Sequence, residues 1–154
     1  MDMSVIIDLV KEWEGSLVVS PGPGDGTPEI AWGDTFFYYA PDHVVPTTRQ
    51  PFATIVTKDY PGDHHSRLHR EGVYRVNIHP SRGSFSTWTK NNTVRPDAMD
   101  IVFAHPVYGD AGWLAIINPG ASTSRVVQSL LREAFDLDRV RFERRSLRKE
   151  KGVD

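Results

Sequence analysis

The sequence predicts an α+β fold in which a mainly antiparallel sheet carries an N-terminal and a C-terminal helix on one face. Three observations predict it. Apolar residues recur at helical spacing near both ends: Val5, Ile6, Leu9, Val10 and Trp13, then Val126, Val127, Leu130, Leu131, Ala134 and Phe135. Between them lie short runs of β-branched and aromatic residues, the types that fit a pleated surface. Tight Gly, Pro, Asn and Asp clusters separate several of those runs, which favours antiparallel pairing over helical crossovers.

The elements follow in order. Residues 4–14 form the first helix, stopped at Gly15, and residues 17–19 a short strand. Residues 21–28 alternate proline and glycine and read as a loop. That loop lacks the Gly-Lys-Ser/Thr ending of a phosphate cradle. Residues 29–32 and 35–40 are expected to form a hairpin turning at Gly33 and Asp34. Phe36, Phe37, Tyr38 and Tyr39 place aromatics on both faces of its second strand, as expected of a strand covered on both sides or lining a pocket. Residues 52–57 form the next strand. Residues 60–72 are polar and irregular, with one helical turn at 66–70. In the strand 73–78, Tyr74, Val76 and Ile78 share one face and Arg75, Asn77 and His79 the other. A short helix over 81–89 is capped by Ser81, with Phe85 and Trp88 turned inward. Strands at 100–104 and 112–117 flank a connection that turns at 109–112. The last helix begins near Ser122 or Thr123, its stripe continued by Leu137 and Val140.

At 154 residues the chain suits one domain, expected over 1–145, with a frayed basic tail over 146–154. The absence of cysteine excludes disulfides, thiolate metal sites and a cysteine nucleophile. The start of the chain has no basic segment before its apolar stretch, and no apolar run is long enough to span a membrane, so the expectation is a soluble cytoplasmic protein with no membrane partner. Charge is uneven. From Arg139 onward seven basic residues face three acidic ones, a net +4, which leaves −6 on the rest of a chain whose total is −2. Such a tail is most simply a solvated helix end, where cations suit the dipole.

Four segments carry a resemblance: Glu29-Ile-Ala-Trp-Gly-Asp-Thr-Phe-Phe-Tyr-Tyr39, Pro51-Phe-Ala-Thr-Ile-Val-Thr-Lys-Asp59, Tyr74-Arg-Val-Asn-Ile78, and His105-Pro-Val-Tyr-Gly109 followed by Gly112-Trp-Leu-Ala-Ile-Ile-Asn-Pro119. Together they resemble a domain-of-unknown-function family common in actinobacteria, numbered 6194. More distantly the chain is similar to the MmcQ/YjbR-like proteins, which implies a two-layer α+β sandwich and carries little about function.

Several groups of residues suggest chemistry. His65 and His69 stand four apart beside His64, Asp59 and Asp63, but Pro61 and Gly62 make this a loop, and no metal or other cofactor is expected. The stronger candidate is a ligand surface built from Lys58, Asp59, Arg75, Asn77, His105, Tyr108 and Trp113. It offers a cation, a carboxylate, an amide, an imidazole and a phenol beside an aromatic wall. The competing reading is an exposed polar sheet face with an Arg75–Asp59 or similar ion pair. No catalytic motif is recognisable, and whether the protein is an enzyme stays open. His105 could serve as a general base oriented by Asp100 or Asp110. Nucleic-acid binding would draw on the basic tail, Arg82 and exposed aromatics, against an overall pI near 6.3. The leading expectation is a binding or accessory domain that contacts a small polar ligand or a protein partner through its sheet face. A homodimer stays open.

Overall fold

The computed structural model describes residues 1–91 and 93–152. The fold is α+β, as expected. Six strands, β1 (Ser16–Val19), β2 (Thr35–Tyr39), β3 (Ala53–Val56), β4 (Arg75–Ile78), β5 (Val102–Ala104) and β6 (Leu114–Ile117), form one sheet in the order β1-β2-β3-β4-β6-β5. Every pairing is antiparallel. Three helices, α1 (Met3–Lys11), α2 (Arg82–Thr89) and α3 (Ser124–Glu150), complete the described fold.

The period-2 pattern sorts the strands' side chains. Phe37, Ala53, Ile55, Val76, Ile78, Leu114 and Ile116 point to one face. There they meet Ile6 and Val10 of α1, Phe85 of α2, and Val127, Leu130, Leu131, Ala134 and Phe135 of α3. The opposite, outer face carries Val56, Phe103, Ala115 and Ile117, and Leu68 and Val73 from the β3–β4 connection cover it. That cover reaches only part of the face, and the site lies where it stops.

Carboxylates fix the long helix. Asp100 accepts the backbone N–H groups of Gly120, Ser122 and Thr123 at 2.8–3.1 Å and the Thr123 hydroxyl at 2.6 Å. These donors belong to the turn that leads into α3 and to its N-cap Thr123, and the carboxylate sits at the positive end of the helix. Gly120 is needed because an added Cβ would lie 3.0 Å from the Asp100 carboxylate. Glu133 accepts from the Ser81 N–H and the Ser84 hydroxyl, tying α2 to α3. Asp138 accepts from the Tyr39 N–H at 2.9 Å and pairs with Arg49 at 2.8 Å.

Five expectations are corrected. Residues 29–32 are not a strand: Glu29–Ala31 is a single 3-10 turn. Strand β2 already pairs with β1 on one side and β3 on the other, so no edge remains for a further partner. Residues 66–70 form successive hydrogen-bonded turns rather than a helical turn. Trp88 is 40% exposed, because only the Phe85 side of α2 meets the core. Finally, α1 ends at Lys11 and its last predicted turn unwinds into a bend closed by the Ser16 N–H on the Trp13 carbonyl. Helix α3 continues through 146–150, the stretch expected as tail. Among the described residues no helix is long and apolar enough to cross a membrane.

The Thr123 hydroxyl and three backbone N–H groups hold the Asp100 carboxyl down to about 2. An unfolded aspartate titrates near about 3.9. The stabilisation is therefore complete above that pH and lost as pH falls toward 2. Asp100→Asn is expected to cost about 1–2 kcal/mol near neutral pH, the scale of a charged hydrogen bond with part of its exposure discounted. Urea titrations should show the deficit shrinking between about pH 4 and pH 2.

Candidate functional site

The site begins with an arginine that alternation forces under cover. Val76 and Ile78 point to the helices, so Arg75 and Asn77 point to the outer face of a central strand. Arg75 is only 1% exposed. A guanidinium so placed must have its charge opposed and its donors filled. Four of its five N–H groups donate to acceptors, and the fifth faces His105. Nε donates to Asn77 Oδ1 at 2.8 Å, and one terminal nitrogen donates to Asp63 Oδ1 at 3.0 Å and Ser66 Oγ at 2.9 Å. The other donates to Asp63 Oδ2 at 2.6 Å and meets His105 Nε2 at 3.0 Å. The paired contacts with Asp63 form the planar fork that arginine favours. Burial pushes the Asp63 carboxyl up, but the hydrogen bonds and charge of Arg75 outweigh it and hold the group below its ordinary range.

Asp63 is delivered by a tight turn. Tyr60 and Asp63 exchange backbone hydrogen bonds at 3.1 and 2.8 Å. The Tyr60 hydroxyl donates to Asp34, a fully buried carboxylate that also accepts from the Thr57 N–H at 2.8 Å, the Thr57 hydroxyl at 2.9 Å and Lys58 Nζ at 3.0 Å. Asp34 thus anchors the start of the β3–β4 connection and, through Tyr60, the turn that carries Asp63.

His105 arrives from the β5–β6 hairpin. Its N–H bonds the Trp113 carbonyl at 2.9 Å, so the two residues close the hairpin loop together. The loop folds back through a 3-10 turn at Gly109–Ala111 to Gly112, whose φ of 90° suits glycine. His105 Nδ1 accepts the N–H groups of Val107 and Tyr108, each at 3.0 Å. Nδ1 is then an acceptor, and the single proton of a neutral ring sits on Nε2. Asp63 Oδ2 lies 3.8 Å from that nitrogen. Burial and the adjacent Arg75 charge push the imidazole down to about 4, against the pull of Asp63.

Above these groups lies a cleft of about 590 Å³. Its floor is the outer sheet face, with Phe36, Thr54, Val56, Arg75, Asn77 and Trp113. The Tyr60–Asp63 turn forms one wall and His105, Val107 and Tyr108 another, with Gln50 and Pro51 at the rim. The lining is mostly apolar. Trp113 is held in place by stacking on His79, with centroids 4.9 Å apart and planes 9° apart. Tyr108 packs against His105 at 4.9 Å yet is 55% exposed.

Five of the seven expected ligand residues therefore meet around one cleft: Arg75, Asn77, His105, Tyr108 and Trp113. Lys58 and Asp59 do not join them. Lys58 turns to Asp34 and the Trp32 carbonyl, and Asp59 accepts from the Leu68 N–H and contacts His69 at 3.3 Å. The competing ion pair is also corrected. The partner of Arg75 is Asp63, and the pair is buried. Asp100 and Asp110 do not orient His105, whose ring nitrogens face the Val107 and Tyr108 N–H groups, Arg75 and Asp63. His64 and His65 stack on each other while His69 faces Asp59, and among the described residues no three potential ligands converge on a metal position. Sequence reasoning missed Phe36, Thr54, Tyr60 and Ser66. The available signal was the alternation of β2 and β3, which puts Phe36 and Thr54 on the Arg75 face.

A sequence model of a family described as "Family of unknown function (DUF6194)" matches residues 1–147. No curated protein and no solved structure matches the chain.

Two outcomes are expected at this site. Arg75→Met leaves Asp63 buried and unpaired and should cost about 3–5 kcal/mol. Adding Asp63→Asn should return about 1–2 kcal/mol of that in urea unfolding, and strict additivity of the two changes would contradict the pairing. The second concerns pH. An unfolded histidine takes its proton near about 6.5, whereas folded His105 resists it down to about 4. The unfolded chain thus binds more protons in that window, and stability falls as pH drops through it, by at most about 1.4 kcal/mol per pH unit. His105→Asn keeps an acceptor for the two N–H groups but cannot titrate. The stability gap between wild type and variant should narrow as pH is lowered from about 6.5 to about 4. A gap independent of pH would contradict the neutral ring.

Proposed function

The chain belongs to DUF6194, a family of unknown function, and we propose that it is a binding domain that takes a small ligand in the cleft on the outer face of its sheet. The observation that carries this reading is a concave, mostly apolar cavity of about 590 Å³ with a few fixed polar groups at its base. That size and composition are those of a small-molecule site. A concave shape walled by two loops suits a small molecule better than a flat protein surface.

Preorganisation supports the same reading. Arg75, Asp63, Asn77 and Thr54 form one hydrogen-bonded chain across β3 and β4, so the floor is already ordered before anything binds. A general-base role for His105 has weaker support. Two backbone donors occupy Nδ1, and Nε2 carries the proton. Neither nitrogen is free to take a proton from a substrate. The basic residues beyond Arg139 lie along the end of α3, and cations in its last turn suit the helix dipole without any partner.

Protein-observed NMR with a library of small polar and aromatic fragments tests the proposal. Binding fragments are expected to shift the amide signals of Thr54, Asn77 and residues 105–113. Tyr108→Ala removes an exposed wall that makes no side-chain hydrogen bond, so folding should be kept while fragment affinity falls about 5- to 10-fold, the scale of a lost aromatic contact. Fragment shifts that cluster away from the cleft, or affinities indifferent to Tyr108→Ala, would sink it.

A further inference from the structure

The charges beneath the cleft cancel, and this bears on what can occupy it. Asp63 and Arg75 are the only charged side chains among the residues that line it. They neutralise each other through two parallel hydrogen bonds. His105 adds no charge, because two backbone donors on Nδ1 leave no place for a second proton. An anion entering the cleft finds the Arg75 charge already opposed by Asp63 and four of its five N–H groups bonded to Asp63, Ser66 and Asn77. A cation finds Asp63 already claimed. Either ion would lose its hydration to meet a charge that is already cancelled.

The neutral side chains at the base, Asn77 and Thr54, keep two uncommitted donors. Asn77 Oδ1 accepts from Arg75, which assigns Nδ2 to the Thr54 side. Nδ2 gives one N–H to Thr54 Oγ1 at 3.0 Å and keeps a second. Thr54 Oγ1 accepts that bond, so its own O–H is uncommitted. Around these donors stand the rings of Phe36 and Trp113 on the floor and of Tyr60 and Tyr108 on the walls. Donors at the base and aromatic faces at the sides match a flat molecule with an acceptor at one end.

We propose that the cleft selects an uncharged, flat aromatic ligand bearing a carbonyl oxygen, which Asn77 and Thr54 bind while the ring lies among the aromatic walls. This rests on the small-ligand reading of the cleft and adds the ligand's charge and polarity to it.

Benzamide, benzoate and benzamidinium share one ring and nearly one shape while being neutral, anionic and cationic. Titrated separately into the full chain at neutral pH and followed by protein NMR, benzamide is expected to bind at least about 5-fold more tightly than either ion. The shifts should fall on Thr54, Asn77 and Trp113. Thr54→Val, which keeps the side-chain shape, should weaken benzamide about 5-fold and leave toluene unchanged, as loss of one neutral hydrogen bond requires. Preference for benzoate or benzamidinium, with shifts still in the cleft, overturns the ligand class and leaves the cleft reading standing. Equal losses for benzamide and toluene in Thr54→Val overturn the role of the donors. If none of the three shifts the cleft signals, while other fragments do, the aromatic carbonyl class is wrong. If no compound of any kind shifts them, the cleft reading itself falls.

Discussion

A buried guanidinium is the constraint on which the outer half of this molecule depends. Arg75 sits on a central strand, where alternation leaves it no route to water. A charge in that position must be opposed and its donors engaged, or the strand would be strongly destabilised. The chain meets the demand by folding the β3–β4 connection back over the sheet. Asp63 and Ser66 come down onto the guanidinium, Leu68 and Val73 cover the apolar remainder, and Asp34 anchors the connection near its start. A well-packed apolar pair of similar volume could be equally stable. What the ion pair supplies is placement: it holds the Tyr60–Asp63 turn at a set height above the sheet, and that height makes one wall of the cleft.

The opposite wall depends on the same charge from another direction. His105 lies against Arg75 and is kept neutral partly by it. The β5–β6 loop fixes the ring through Val107 and Tyr108, so a change in the ring would be felt by the wall those residues form. Floor and both walls are thus one connected polar structure rather than separate contributions. Its net charge is zero, which gives the site a chemical character that the names of its residues do not suggest.

The helical face is held by a different device. Carboxylates tie α3 and its start to distant positions: Asp100 reaches in from the residues before β5, and Asp138 reaches out from α3 to β2 and Arg49. Glu133 extends the bracing to α2. These contacts matter to the site because β2 and β3 carry Phe36 and Thr54 into the cleft floor. A helix layer free to slide would loosen the strands whose outer faces bind.

Much of the fold was legible because its rules are local. Helical spacing located α1 and α3, and the period of 2 in β4 correctly divided Val76 and Ile78 from Arg75 and Asn77. The same alternation brought Arg75, Asn77, His105, Tyr108 and Trp113 forward as companions. Local rules failed where the answer lay in a partner far along the chain. The stretch 29–32 has strand-like residues, yet both edges of β2 were already taken. Trp88 has a helical position suited to the core, yet only the Phe85 side of α2 meets it. Lys58 and Asp59 were placed beside Arg75 by strand order, and Asp34 and the turn at 59–69 claimed them instead. By itself the sequence determined which residues share a face, since backbone geometry fixes that within a few positions. Only the tertiary structure decided which of 20 acidic residues would answer Arg75. Charge pairing acts through space, and no spacing in the chain records which loop will fold over the sheet to meet it.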